Sequence, residues 1–108
     1  MTNEFLLVHT TFPDQAKALE IGKTLVEEGL IACFSVDTHP SISLFSWQGK
    51  LEEAREFAAR LKTRADRFKA LAERLNTLHP YDVPEILSTS VTHGSEAYLD
   101  WMKSSLEA

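Results

Sequence analysis

The segment Leu51–Thr63, LEEAREFAARLKT, admits two readings, and the choice between them sets the architecture. Its Ala, Glu, Arg and Leu content favours helix, because these residues are among the better helix formers. Leu51, Ala54, Ala58 and Leu61 also fall on a helical stripe. A period of two fits as well. It puts Phe57, Ala59 and Leu61 on one face of a strand and Glu56, Ala58, Arg60 and Lys62 on the other.

The flanking sequence reads more plainly. Ser41–Trp47, SISLFSW, alternates as a strand does, and Gln48-Gly49-Lys50 turns the chain after it. Asp37–Pro40 is turn chemistry. Upstream, the short apolar runs in Glu4–Thr11 and Leu30–Val36 are strands. Between them Pro13 and Asp14 open a helix with Ala18, Ile21, Gly22, Leu25 and Val26 on one side, and Gly29 ends it. Downstream, Asp66–Leu78 is an amphipathic helix built on Phe68, Leu71, Ala72, Leu75 and Leu78, with Thr63-x-x-Asp66 as its cap signal. Glu85–Val91 is a last strand, and Ser95 caps a short C-terminal helix carrying Tyr98, Leu99, Trp101 and Met102. If Leu51–Thr63 is a strand, joining Ser41–Trp47 to a neighbour gives βαββαβ plus a final helix. That is an α+β chain of the ferredoxin-like, split βαβ type.

The totals narrow the function. With 108 residues, 44% apolar and 25% charged, the chain is expected to be one globular domain, residues 1–108. A net charge of −5 and no basic run longer than two residues argue against nucleic acid. Cys33 is the only cysteine, so no intrachain disulfide forms and a reducing compartment fits. The opening MTNEFLLVHTTFPD lacks a basic leader region and its apolar run is too short for a signal peptide. No stretch is long enough to span a bilayer. The expected location is the cytoplasm, away from membranes.

The chain carries Trp47-x-Gly49-Lys50, Glu56, Lys62-Thr63, His79-Pro80-Tyr81, Pro84-Glu85 and Tyr98-Leu99-x-Trp101, with Thr11-x-Pro13-Asp14 and GLIACFSV ahead of them in one register. Together these stretches resemble the CutA family of divalent-cation tolerance proteins. The resemblance covers the chain nearly end to end. It implies a ferredoxin-like subunit assembling as a tight homotrimer, with Leu51–Thr63 as a long strand hairpinned to the one before it. Pairing and burial then outweigh helix preferences worth a few tenths of a kcal/mol per residue. Trimerisation would cover the edges of so long a hairpin. The family implies a part in divalent metal, notably copper, tolerance. Its architecture is similar to that of the nitrogen-regulatory signalling trimers, which hold small effectors between subunits; this is an analogy of fold alone.

The residues themselves supply little metal chemistry. His9, His39, His79 and His93 are dispersed, and sulfur is confined to Cys33, Met1 and Met102. The resemblance implies, for some members, a ligand set of one cysteine near the Thr-x-Pro-Asp stretch and two consecutive histidines before Pro-Tyr. Here those positions hold Thr10 and Leu78, which leaves His79 as the candidate ligand for copper or another divalent ion. The alternative for His79 is a cationic imidazolium at a helix C-terminus. Cys33 reads as a buried small hydrophobe and His93 as a turn residue. Glu56, Lys62, Tyr81 and Glu85 form a candidate cleft at a subunit boundary, for a small anion or cation, or else an intersubunit ion pair with a tyrosine lid. Trp47 and Trp101 read as core or interface aromatics. No nucleophile motif or phosphate-binding glycine loop is present, so no enzymatic activity and no required cofactor are expected.

Overall fold

A computed structural model describes residues 4–107. Met1 lies outside the described residues. The element order is β1 (Phe5–Phe12), α1 (Gln15–Glu27), β2 (Cys33–Val36), β3 (Ser41–Trp47), β4 (Lys50–Arg64), α2 (Phe68–Leu78, after a 3-10 turn at Ala65–Arg67), β5 (Leu87–Ser90) and α3 (Glu96–Leu106).

Leu51–Thr63 is strand throughout. β4 runs 15 residues and is the spine of the sheet. On one side it pairs antiparallel with all of β1, from Phe5↔Arg64 to Phe12↔Phe57. On the other it pairs with β2 and then β3. The segment thus has ladder partners along both edges of its inner half, which no preference for helix offsets. Its alternation is the expected one over the inner half, where Ala59, Leu61 and Thr63 are buried between more open neighbours.

β2 and β3 act as one interrupted strand. Val36 pairs with Ala59 and Ser41 with Glu56, so residues 37–40 stand opposite residues 57–58. This bulge contains Pro40, which has no N–H to give to a ladder. Asp37 still closes onto β4 through its N–H to the Ala58 carbonyl, 2.9 Å. β5 pairs with the far edge of β1. The spatial order is therefore β5, β1, β4, then β2 with β3, the ferredoxin-like arrangement.

At the hairpin tip Trp47 pairs with Lys50 across Gln48 and Gly49, whose φ angles are 52° and 80°. Two positive φ values mark the tight turn whose twist suits a two-residue hairpin, and glycine takes the second of them without strain.

α1 and α2 lie on one face of the sheet. Ala18, Ile21 and Leu25 from α1, with Leu71 and Leu75 from α2, pack on Val8, Phe12, Ala59 and Leu61. Asp14 caps α1 by accepting from the Ala16 N–H at 3.0 Å. Gly29 ends the helix, with Leu30 N–H returning to the Leu25 carbonyl and Gly29 N–H to that of Val26. Val26, expected on the buried stripe, is exposed instead. The expected Thr63 cap of α2 is also absent. Thr63 is buried within β4 and donates to the Leu30 carbonyl at 2.7 Å, tying the sheet to the α1 exit.

The opposite face is covered only at one end. There α3, capped by Ser95 as expected, sets Met102 and Leu106 on Phe5 and Ala32. The outer hairpin lacks even that cover. Ile42, Leu44, Phe45, Trp47 and Leu51 are all exposed, Leu44 at 65% and Leu51 at 80%. β5 is shorter than the expected Glu85–Val91, because residues 79–86 run as an irregular connector between α2 and the sheet.

Candidate functional site

The connector Pro80–Glu85 passes beside the base of the β3–β4 hairpin and leaves a cavity of about 610 Å³ between them. Its walls carry three aromatic rings, Phe45, Trp47 and Tyr81, and five carboxylates, Glu52, Glu53, Glu56, Asp82 and Glu85. Among the described residues no cationic side chain lines it. The volume falls in the range usual for small-molecule sites.

Glu56 is the innermost of these acids, nine-tenths buried with 9% relative exposure. The Thr11 hydroxyl donates to its Oε2 at 3.2 Å. Burial, with the Glu56 carboxylate beside it, pushes the Tyr81 phenol up to about 12. The strand alternation that buries Ala59 and Leu61 would have turned Glu56 toward the less covered face. It is buried because the connector folds over it, a contact between residues distant in sequence that no local pattern announces.

His79 holds that connector. It caps α2, its backbone N–H donating to the Leu75 carbonyl at 2.9 Å. Its ring stacks on Phe12 with centroids 4.6 Å apart and leans on Tyr81 at 5.1 Å. Nε2 lies 2.7 Å from the Thr11 carbonyl oxygen, and the Tyr81 N–H donates to Nδ1 at 3.1 Å. A carbonyl can only accept and an amide N–H can only donate, so the ring is the neutral Nε2–H tautomer. Burial holds its pKa below the ordinary histidine value, while the Thr11 carbonyl and Glu56 pull weakly the other way.

Within this chain both ring nitrogens are engaged with the backbone, so neither is free for a metal ion in this arrangement. Burial favours the neutral ring over an imidazolium at the helix end.

Lys62 stands apart from the other members of its expected set. It lies six residues along β4 from Glu56, about 20 Å at the usual strand rise. Sharing a face did not make them neighbours. Lys62 donates to the Tyr98 hydroxyl at 3.0 Å and sits 5.2 Å from the centre of that ring. This hydrogen bond, ahead of all other influences, raises the ammonium pKa. Tyr98 in turn neighbours Trp101, with centroids at 5.3 Å. Within one chain the structure therefore gathers Glu56, Tyr81 and Glu85 and leaves Lys62 with Tyr98 and Trp101.

Trp47 and Trp101 are 43% and 45% exposed, so neither is a core residue of the single chain. Cys33 is only partly buried, paired with Lys62 across the ladder. His93 is exposed in the loop before α3. Met102, one of the expected sulfur sources, is buried in the α3 packing. Among the described residues no group of three or more His, Cys, Asp or Glu side chains converges as a metal centre. The cavity carboxylates are spread along its walls, and the residues of one chain do not fit a preformed metal site.

Sequence reasoning gave no site role to Thr11 and Phe12, the two β1 residues that dock Glu56 and His79. Thr11 entered only within the Thr11-x-Pro13-Asp14 stretch, and Phe12 had no signal beyond its place at the end of a buried strand just before a helix start. Sequence reasoning also missed the hairpin carboxylates Glu52 and Glu53, which line the cavity.

Comparison with known proteins is consistent along the chain. The family model described as "CutA1 divalent ion tolerance protein" matches residues 6–105. The "Divalent-cation tolerance protein CutA" of Pyrococcus horikoshii is 45% identical over 97 residues, covering 90% of this chain and 93% of that one. The crystal structure of a "stable protein, CutA1" from the psychrotrophic Shewanella sp. SIB1 superposes with a TM-score of 0.93 at 30% identity, each chain covered in full, 100% and 100%. The "Periplasmic divalent cation tolerance protein CutA" of Archaeoglobus fulgidus gives a TM-score of 0.91 at 33% identity, covering 95% of this chain and 99% of that one. This chain belongs to the CutA1 divalent ion tolerance protein family.

Proposed function

We propose that the protein acts as a non-enzymatic, cytoplasmic homotrimer in tolerance of divalent metal ions, copper among them, binding such ions weakly through groups from more than one subunit. The observation that carries the trimer is the bare hairpin. Five large apolar side chains, Ile42, Leu44, Phe45, Trp47 and Leu51, stand exposed on two paired strands whose outer edges are both unpaired here among the described residues. Apolar surface of that kind on a strand edge is stable in solution when another chain covers it. The dispersed carboxylates and the engaged His79 favour metal contacts completed between chains. Family membership supports the cation-tolerance role.

Light scattering at micromolar chain concentration is expected to give about three times the 12.2 kDa chain mass. A stable monomer refutes the assembly. Calorimetry with Cu(II) and Zn(II) on tag-free trimer tests the metal role. Affinity no better than that of an unrelated histidine-bearing protein rules out direct binding.

A second reading is favoured by one observation, the cavity holding Tyr81, Glu56 and Glu85. In it the trimer senses a small molecule in clefts between subunits. A metabolite panel screened by thermal shift separates the two, since a ligand of the native state raises the melting temperature. Stabilisation by metals alone supports the first reading, and stabilisation by an organic ligand supports the second.

A further inference from the structure

We infer that His79 is an acid-released latch: its neutral ring pins Tyr81 over Glu56, and protonation at Nδ1 frees the connector and reshapes the cavity beneath the hairpin. The argument rests on the direction of two hydrogen bonds. Nε2–H donates to the Thr11 carbonyl on β1, and Nδ1 accepts from the Tyr81 N–H at the start of the connector. The only lone pair of the ring thus faces an N–H. A second proton would have to occupy that lone pair and would point at the Tyr81 N–H, turning an attraction into a clash of two donors. The Thr11 contact survives protonation, because it already uses a donor. Acid therefore releases one side of the histidine, the side that holds Tyr81.

The surroundings set when this happens. From β4, Glu56 is the charged side chain acting on the ring, and it favours the imidazolium. β1 contributes only the Thr11 carbonyl and the Phe12 ring, and α2 the Leu75 carbonyl bonded to the His79 N–H. The connector contributes Tyr81, neutral at any physiological pH. Burial outweighs Glu56 and holds the ring's pKa below the ordinary histidine value, so the latch is closed at neutrality. The consequence is local. Tyr81 and Glu85 both line the cavity, and both lie on the segment that the latch secures. The latch stands on this geometry alone; only its use in regulating a bound effector rests on the cleft reading above.

The test is a pH titration of uniformly ¹⁵N-labelled protein from about pH 8 to about pH 4.5, across the histidine range. Long-range ¹H–¹⁵N spectra report the His79 tautomer, and the amide spectrum reports Tyr81. The expected result is an Nε2–H tautomer at the start and a Tyr81 amide shift whose midpoint coincides with that of the ring. In His79→Gln, which keeps an acceptor and a donor without titrating, the Tyr81 amide is expected to stay still over the same interval. In Glu56→Gln the shift should persist with its midpoint moved to lower pH, because the carboxylate that favours the imidazolium is gone. An Nδ1–H tautomer or an imidazolium at the start overturns the latch. So does a Tyr81 amide that ignores the ring titration, moves unchanged in His79→Gln, or stops moving in Glu56→Gln. The wild-type coincidence of midpoints decides the matter should either variant fail to fold. Loss of ligand binding with these signals intact would count against the effector cleft and leave the latch standing.

Discussion

Gly22→Ala is expected to destabilise a helix that alanine would ordinarily strengthen. In an open helix interior the change favours folding by about 1 kcal/mol. Here the new Cβ would lie 2.4 Å from Cδ2, 2.5 Å from Cγ and 2.7 Å from Cε2 of Phe34. Carbon atoms in ordinary contact sit about 3.5–4.0 Å apart, so ring and helix must part by about 1 Å or more. Phe34 cannot simply swing away, because it meets Phe12 edge-on with centroids 6.2 Å apart and packs against the main core. Overpacking of this sort costs about 1–3 kcal/mol. Three contacts of 2.4–2.7 Å put the cost in the upper half of that range, so against the propensity gain a net loss of about 1–2 kcal/mol follows, read as a fall in melting temperature of several degrees, at about 4–8 °C per kcal/mol. Urea and thermal unfolding at one fixed chain concentration measure it, since self-association would raise apparent stability by mass action. Adding Phe34→Ala should relieve the clash, so the double variant loses less than the two single losses combined. A Gly22→Ala protein as stable as the parent refutes the reasoning.

Thr63→Val keeps the shape of a fully buried side chain but removes the donor to the Leu30 carbonyl. A loss of about 1–3 kcal/mol is expected in chemical denaturation. Ser95→Ala removes the N-cap of α3, costing about 1 kcal/mol in the same assay, and backbone exchange should quicken first in that helix. Glu56→Gln should bring the Tyr81 phenol down from about 12, yet leave it above the ordinary value of about 10 because burial remains; ultraviolet difference titration reads this. With the folded value above the unfolded one, Tyr81 contributes stability that is full below about pH 10 and lost as pH rises through about 12. His79 has the opposite sign. Its depressed value gives stability that is full above about pH 6.5 and lost as pH falls through the folded value, and His79→Gln should flatten that part of the stability curve.

Much of the fold was legible because its elements carry their own punctuation. Asp14, Gly29, the Gln48-Gly49 turn and Ser95 each act locally, and each ends or starts an element where expected. Leu51–Thr63 was undecidable from composition, since its outcome depends on β1, whose last residue lies 39 positions before Leu51 in the chain. Family resemblance supplied what periodicity could not. The site was legible only in part. Tyr81 and Glu85 follow from two prolines in a short connector, and Glu56 from its strand position. Lys62 lies away from Glu56 within one chain, because sharing a face says nothing about distance along it. For His79 the sequence shows an imidazole but not the two backbone groups that engage its nitrogens.

The four-against-two bulge at residues 37–40 divides the labour of a single strand. Below it β4 is locked between β1 and β2 and belongs to the core; above it the same strand holds only β3 and becomes an arm reaching outward. With no break in β4, the arm has no hinge of its own. A twist imposed on the tip by a neighbouring subunit would be carried down a rigid rod past Glu56, into the ladder that anchors Thr11 and, through it, His79. Contact at the rim and strain at the cavity floor are then two ends of one lever.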